Sequence, residues 1–201
     1  NGKLVSEKCI QESCREHEFS DLTPDSNYRI SAVTKIDDVT SEPFEVGAKT
    51  TVPCPKNLHV LEVGEDYIIV QWSAVSSDIT GYDVHIKAVA HDDESFKHHC
   101  DATGTTCKLT QLISGREYLI SVLALSGNDR SQSRNTKQYT KVRPPVNVEV
   151  NPGTDFIRID WTPPDGDVKW YDLEIADTLG NRVLESIEGD IKPYTETVGK
   201  L

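Results

Sequence analysis

The chain has 201 residues and a formal charge of −12, from 33 acidic against 21 basic residues; at roughly 100 to 150 residues per domain it holds about two domains. That charge excludes an electrostatic grip on phosphate backbones or anionic lipid, so neither nucleic acid nor a membrane surface is an expected partner. No run of about 18 apolar residues is present, residue 1 opens no charged, apolar leader, and five cysteines without metal-finger spacing point to an oxidising compartment. The absence of any Asn-x-Ser/Thr acceptor is a contrary sign.

Read in chain order, the elements are short strands of period two, bounded by Gly, Pro, Asp and Ser clusters, with no helical periodicity. Cys9 and Cys14 precede Leu22, and a strand follows with Tyr28, Ile30 and Ala32 on one face. Asp37-Asp38 reads as a turn, where Asp bonds its own backbone. After Pro53-Cys54-Pro55, the strand 67–72 places Ile68, Val70 and Trp72 inward and Gln71 outward. The next strand sends Tyr82, Val84 and Ile86 inward, and Asp83, His85 and Lys87 to water.

The segment from His91 through Asp92-Asp93-Glu94 to His98-His99-Cys100 carries ligand types that Zn²⁺ accepts. Neighbours on a strand point to opposite faces and do not converge on one ion, so these are read as solvated histidines and no metal is expected. Cys100 and Cys107 bracket a turn-rich hexapeptide and are expected to form a disulfide. Cys9 and Cys14 sit similarly before the Leu22 corner and are expected to form a second. Cys54 is left over: free, paired outside the chain, or competing for Cys9 or Cys14.

Leu112 precedes Tyr118, Ile120, Val122 and Ala124, and a polar loop runs from Ser126 to Ser133. Asn128, Asp129 and Arg130 at its tip are candidates for ligand contact, because loops held by a rigid scaffold often carry binding; an ordinary flexible hairpin is the alternative. Beyond Pro144-Pro145, Ile157, Ile159 and Trp161 share a face, Arg158 and Asp160 the other, and Tyr171, Leu173 and Ile175 follow. Residues 144–201 hold 5 basic and 12 acidic residues, the most acidic stretch. Asp165, Asp167, Asp172, Glu174 and Asp177 there suit a basic partner, a Ca²⁺ at the junction, or solubility alone. Catalytic signatures are absent: no Gly-x-Ser-x-Gly, phosphate-cradling glycine loop or His-Glu-x-x-His occurs. Neither a cofactor nor catalysis by these residues is expected.

These features recur at a nearly constant interval, Trp72 and Trp161 differing by 89 positions, Tyr82 and Tyr171 by 89, and Tyr28 and Tyr118 by 90. The B-strand tryptophans Trp72 and Trp161, the C-strand tyrosines Tyr82 and Tyr171, the Leu112–Tyr118 corner and the junction prolines 53, 55, 144 and 145 together resemble the fibronectin type III family. That resemblance implies an all-β chain of tandem immunoglobulin-like antiparallel β-sandwiches. The expected units are 1–53, the C-terminal part of a repeat; 54–143, a complete repeat; and 144–201, the N-terminal part of another. The chain is therefore expected to be a piece of a longer array, or to be completed by another copy through head-to-tail exchange, which leaves homo-association open.

The expected function is an extracellular protein-binding or adhesion array in a cell-surface receptor ectodomain, meeting the membrane only through a segment elsewhere. The alternatives are a structural spacer of a secreted extracellular matrix protein, or a non-catalytic module on a secreted enzyme. Ser114-Gly115-Arg116-Glu117-Tyr118 with the Ser-rich loop resembles repeats of receptor-type protein tyrosine phosphatases, whose catalytic domain would lie outside these residues. The Arg-Gly-Asp tripeptide is absent, so integrin binding by that route is not expected.

Overall fold

A computed structural model describes residues 16–75, 79–89, 95–101, 104–189 and 195–199. All regular structure in it is β. In chain order the strands are β1 (Asn27–Ala32), β2 (Lys35–Ile36), β3 (Val39–Thr40), β4 (Phe44–Lys49), β5 (Lys56–Val63), β6 (Tyr67–Ser73), β7 (Gly81–Ala88), β8 (Ser95–Asp101) and β9 (Thr106–Thr110). They continue as β10 (Glu117–Ser126), β11 (Asp129–Arg130), β12 (Arg134–Tyr139), β13 (Val146–Pro152), β14 (Phe156–Thr162), β15 (Trp170–Ala176), β16 (Arg182–Glu188) and β17 (Thr195–Gly199).

The middle unit is a two-sheet sandwich. One sheet has the order β5-β6-β9; the other runs β8-β7-β10, with β11 and β12 both pairing β10. Every described ladder is antiparallel, and β6, β9 and β10 alternate buried residues with more exposed ones, one face to the core and the other toward solvent. Ile68 and Val70 of β6 meet Tyr82, Val84 and Ile86 of β7 and Tyr118, Ile120 and Val122 of β10 in one continuous core. Trp72 stands edge-on to Tyr82 with ring centroids 5.2 Å apart, an arrangement that suits the ring quadrupoles. Val52 and Pro55, from the connection before β5, are buried as well.

The inward residues are those expected from period two, with one difference on the opposite face. Asp83 is only 2% exposed. Its strand is central, flanked by β10 and β8, and opposite it stands Leu123. A side chain as short as Asp, midway along a strand with a neighbour on each side, is covered by the longer side chains around it, whereas Lys87 at the strand end is exposed.

The flanking units repeat parts of this plan. In the first, β1 pairs β4 and β2 pairs β3 as one long hairpin. The last has a three-stranded sheet β13-β14-β17 and a two-stranded sheet β15-β16. Its core is small: Trp161 and Tyr171, each 8% exposed, stand edge-on at 5.3 Å with Ile159, Val168, Leu173 and Ile187 packed around them. Cys9 and Cys14 lie outside the described residues.

The repeat is also visible in the backbone. Left-handed φ angles at Asp21, Asp25 and Asp37 recur at Gln111, Gly115 and Gly127, and that of Asn57 recurs at Asn147. These pairs lie 90 positions apart, so the same turns are set by Asp and Asn in one copy and largely by Gly in another, the residue types that tolerate this region. Asn57 and Asn147 each sit at a bulge in the first ladder of their unit, where the register shifts. The corner tyrosines behave alike: Thr23 N–H donates to the Tyr28 hydroxyl at 2.8 Å, and Ile113 N–H to the Tyr118 hydroxyl at 2.9 Å.

Two outcomes follow from this packing. Leu109→Ala, in the completely buried β9 position, is expected to destabilise the middle unit by about 2–5 kcal/mol, since the cavity cannot collapse between two sheets. Tyr118→Phe keeps the ring but strands the Ile113 amide, for an expected loss of about 1 kcal/mol; equilibrium denaturation read by tryptophan fluorescence measures both.

Candidate functional site at the joints between units

The polar chemistry of the molecule concentrates where one unit meets the next. At the lower end of each unit, the turn before the corner tyrosine is tied to the last residues of the final strand. In the first unit Thr50 Oγ1 donates to Thr23 O at 2.7 Å and Ser26 N–H donates to Thr50 Oγ1 at 2.9 Å. In the middle unit Thr140 Oγ1 donates to Ile113 O at 2.5 Å and Arg116 N–H donates to Thr140 Oγ1 at 3.1 Å. A threonine, half-buried at position 50 and buried at position 140, thus serves as a rivet in both of these units, satisfying turn groups that would otherwise lose their hydrogen bonds to water.

Different loops of the following unit meet these ends. At the first joint it is the β10–β11 hairpin. Lys49 Nζ lies 2.6 Å from Asp25 Oδ1 and 2.5 Å from Asp129 Oδ2, and Ser126 Oγ donates to Asp25 Oδ2 at 2.5 Å. The hydrogen bond from Lys49, and next that from Ser126, hold the Asp25 carboxyl below the ordinary aspartate range. Asp129 first, and then Asp25, raise the Lys49 ammonium above the ordinary lysine range.

At the second joint the loop between β14 and β15 is the partner. Arg116 grips Asp167 with both arms, Nε to Oδ2 and Nη2 to Oδ1, each at 2.8 Å, the planar fork that favours Arg over Lys. Asp167 N–H donates to Ser114 O at 2.8 Å, so main chain meets main chain. The connecting strand is fixed too: Lys141 N–H donates to Gly64 O at 2.8 Å and Arg143 N–H to Ser114 Oγ at 3.0 Å. A side chain at Gly115, whose φ is 72°, would bring a Cβ to 2.1 Å from Asp167 O, and one at Gly166 would reach 2.5 Å from Ser114 O. Both glycines are required by this approach.

The residues singled out in the sequence divide accordingly. Of the loop-tip candidates, Asp129 is engaged with Lys49, while Asn128 and Arg130 are exposed. Of the acidic residues singled out in the last unit, four have separate partners and do not converge. Asp167 holds Arg116, Asp172 accepts from Ser186 Oγ at 2.6 Å, Glu174 pairs with Arg182 at 3.0 Å, and Asp177 caps the turn ahead of β16. Backbone and side-chain hydrogen bonds from Asn181, with lesser help from the Leu179 and Gly180 amides, lower the Asp177 carboxyl below its usual range. Among the described residues no group of three or more His, Cys, Asp or Glu could hold a metal ion.

Cys107 is buried on β9 opposite Val70, Cys100 has its backbone on β8 opposite Tyr82, and Cys54 is a half-buried free thiol in the first connection. Beside the second joint, Val142, Arg143, Pro145, Val148, Trp161 and Trp170 line an open hollow of about 260 Å³. Lys49, Asp25, Ser126 and the Arg116 contact were not found from the sequence. The available signal was that charged residues recur beside each corner tyrosine.

The Fibronectin type III domain family matches residues 53–137. Among curated proteins, the chain is 28% identical to Tenascin-N of Mus musculus over 193 residues, covering 94% of this chain and 12% of that protein. It is 27% identical to Tenascin of Mus musculus over 187 residues, covering 90% and 9%. With the Collagen alpha-1(XII) chain of Oryctolagus cuniculus it shares 29% over 159 residues, covering 76% and 24%. The chain thus spans a small part of the length of these relatives. Among solved structures, a two fibronectin type-III domain segment from chicken tenascin superimposes with a TM-score of 0.61 at 22% identity, over 74% of this chain and 84% of that one. Residues 53–137 form a fibronectin type III domain.

Proposed function

We propose that this chain is a spacer segment of a matrix protein, with units at 1–53, 54–143 and 144–201, that sets the distance and angle between binding surfaces and itself contacts protein partners through exposed sheet faces and loop tips. The observation that carries the reading is the second joint, where a bidentate ion pair, a main-chain hydrogen bond and two glycines commit two units to one orientation. A chain of beads that only displayed loops would have no use for such a fixed angle. The similarity to tenascins and a collagen favours a matrix protein over the receptor ectodomain. The receptor would additionally need a membrane-crossing segment elsewhere in its chain.

The spacer reading predicts that Gly166→Val, which drives a side chain into the Ser114 backbone, broadens the distribution of angles in electron micrographs of the intact array while the middle unit keeps its denaturation midpoint. Unchanged angles would overturn it. Should the hairpin tip instead be the principal ligand site, Asn128→Ala with Arg130→Ala would abolish attachment of partner proteins with no effect on shape.

The Cys100–Cys107 link belongs to the same proposal. Joining β8 to β9, it would tie the two sheets of the middle unit together outside their hydrogen-bonded ladders. Non-reducing peptide mapping is expected to recover the two cysteines in one linked fragment, and reduction to cost on the order of 2 kcal/mol, as for a short closed loop. Alkylation of both thiols without a reductant would exclude the link.

A further inference from the structure

The two joints use equivalent positions but differ at one of them. Asp25 and Gly115 both precede the corner tyrosine by three residues, and both adopt left-handed φ, 51° and 72°. At Gly115 there is no side chain, and the next unit comes close enough for Ser114 O to accept from Asp167 N–H. At Asp25 a carboxylate occupies that place, reaching across to Ser126 and pairing with Lys49 of its own unit. The second joint is therefore closed by backbone contact. The first is held by charged side chains.

We propose that the joint between the first and middle units is an ionic latch, with Lys49 as its bolt between Asp25 and Asp129, which salt opens while the joint between the middle and last units stays closed.

Exposure separates the ion pairs that cross the two joints; Asp25, 11% exposed, anchors Lys49 from within the first unit. The Lys49 and Asp129 side chains are 37% and 54% exposed, within reach of counterions, and exposed pairs of this kind weaken as screening increases. At the second joint the Arg116 and Asp167 side chains are 12% and 40% exposed, and the backbone bond between Ser114 and Asp167 carries no net charge to screen. Acid acts differently from salt on the latch. The depressed folded-state pKa of Asp25 means that its contribution is present above the ordinary aspartate pKa and is lost only as pH falls through the lower value. The raised pKa of Lys49 means that its contribution holds below the ordinary lysine pKa and is lost as pH rises through the higher one. Neutral and mildly acidic solutions leave Asp25 and Lys49 charged, and ionic strength is the variable that releases the latch.

Residual dipolar couplings of the whole ¹⁵N-labelled chain, in an uncharged alignment medium, test this. At about 0.01 M salt, with a Debye length of about 30 Å, β1 and β4 are expected to share one alignment tensor with β7 and β10. At about 1 M, where that length is about 3 Å, the first hairpin is expected to lose the shared tensor while β7, β10, β14 and β15 keep theirs. Lys49→Gln and Asp129→Asn, both surface changes, are expected to reproduce the loss at low salt. A common tensor for all units at high salt, or simultaneous loss at both joints, overturns the proposal. So does persistence of the shared tensor in both variants at low salt.

Discussion

Burial of one side of the central strands is the constraint from which the rest of this structure follows. An antiparallel strand presents its side chains alternately, so a sheet with one apolar face is stable only when another apolar face covers it. In the middle unit that cover is complete: Ile68, Val70 and Leu109 of one sheet meet Tyr82, Val84, Ile86, Tyr118 and Ile120 of the other, all buried. The last unit has the same sequence of strands through β17, yet among the described residues only Trp161, Pro164 and Tyr171 are buried. Its strand pairing is as regular as that of the middle unit, with seven consecutive partners between β15 and β16. Hydrogen-bonded ladders therefore do not make a core here; the covering sheet does.

The constraint also explains why the repeat interval scarcely varies. With inward positions fixed by period two, a change of one residue within a strand would turn its apolar set to water. Length changes are confined to turns, and the turns are themselves pinned by left-handed residues at matching places. Because the corner turn and the end of the last strand are riveted by Thr50 or Thr140, each unit offers its successor a lower end of the same shape. What differs from joint to joint is side-chain chemistry on that common frame.

Much of this was legible in the sequence and some was not, for reasons that particular residues make clear. Trp72, Tyr82 and their counterparts could be placed because burial imposes a period that survives in the order of residues. The tyrosine corner could be placed because its hydrogen bond spans only five residues. Asp83 was missed because alternation says which face a residue takes, not how far neighbouring strands cover that face. The Arg116–Asp167 grip was missed because its partners lie 51 positions apart, in turns whose Asp and Arg look like ordinary solvated residues. The same holds for Lys49 with Asp129, 80 positions apart.

Those long-range pairs bear on where a partner can bind. A loop that meets the preceding unit has its orientation set by that unit, and a charge already paired contributes little to a newcomer, which would have to break the existing contact first. Ser126 and Asp129 are in that position at the first joint, as is Asp167 at the second. Asn128 and Arg130, next to Asp129 but exposed, are not. A ligand that used them would approach the hairpin from the side while its base stays docked on Asp25 and Lys49, so binding and joint closure would favour one another. A ligand that sought Asp129 would compete with Lys49 instead. The pattern of paired and unpaired residues in one short hairpin thus fixes whether a bound partner would straighten the array or loosen it.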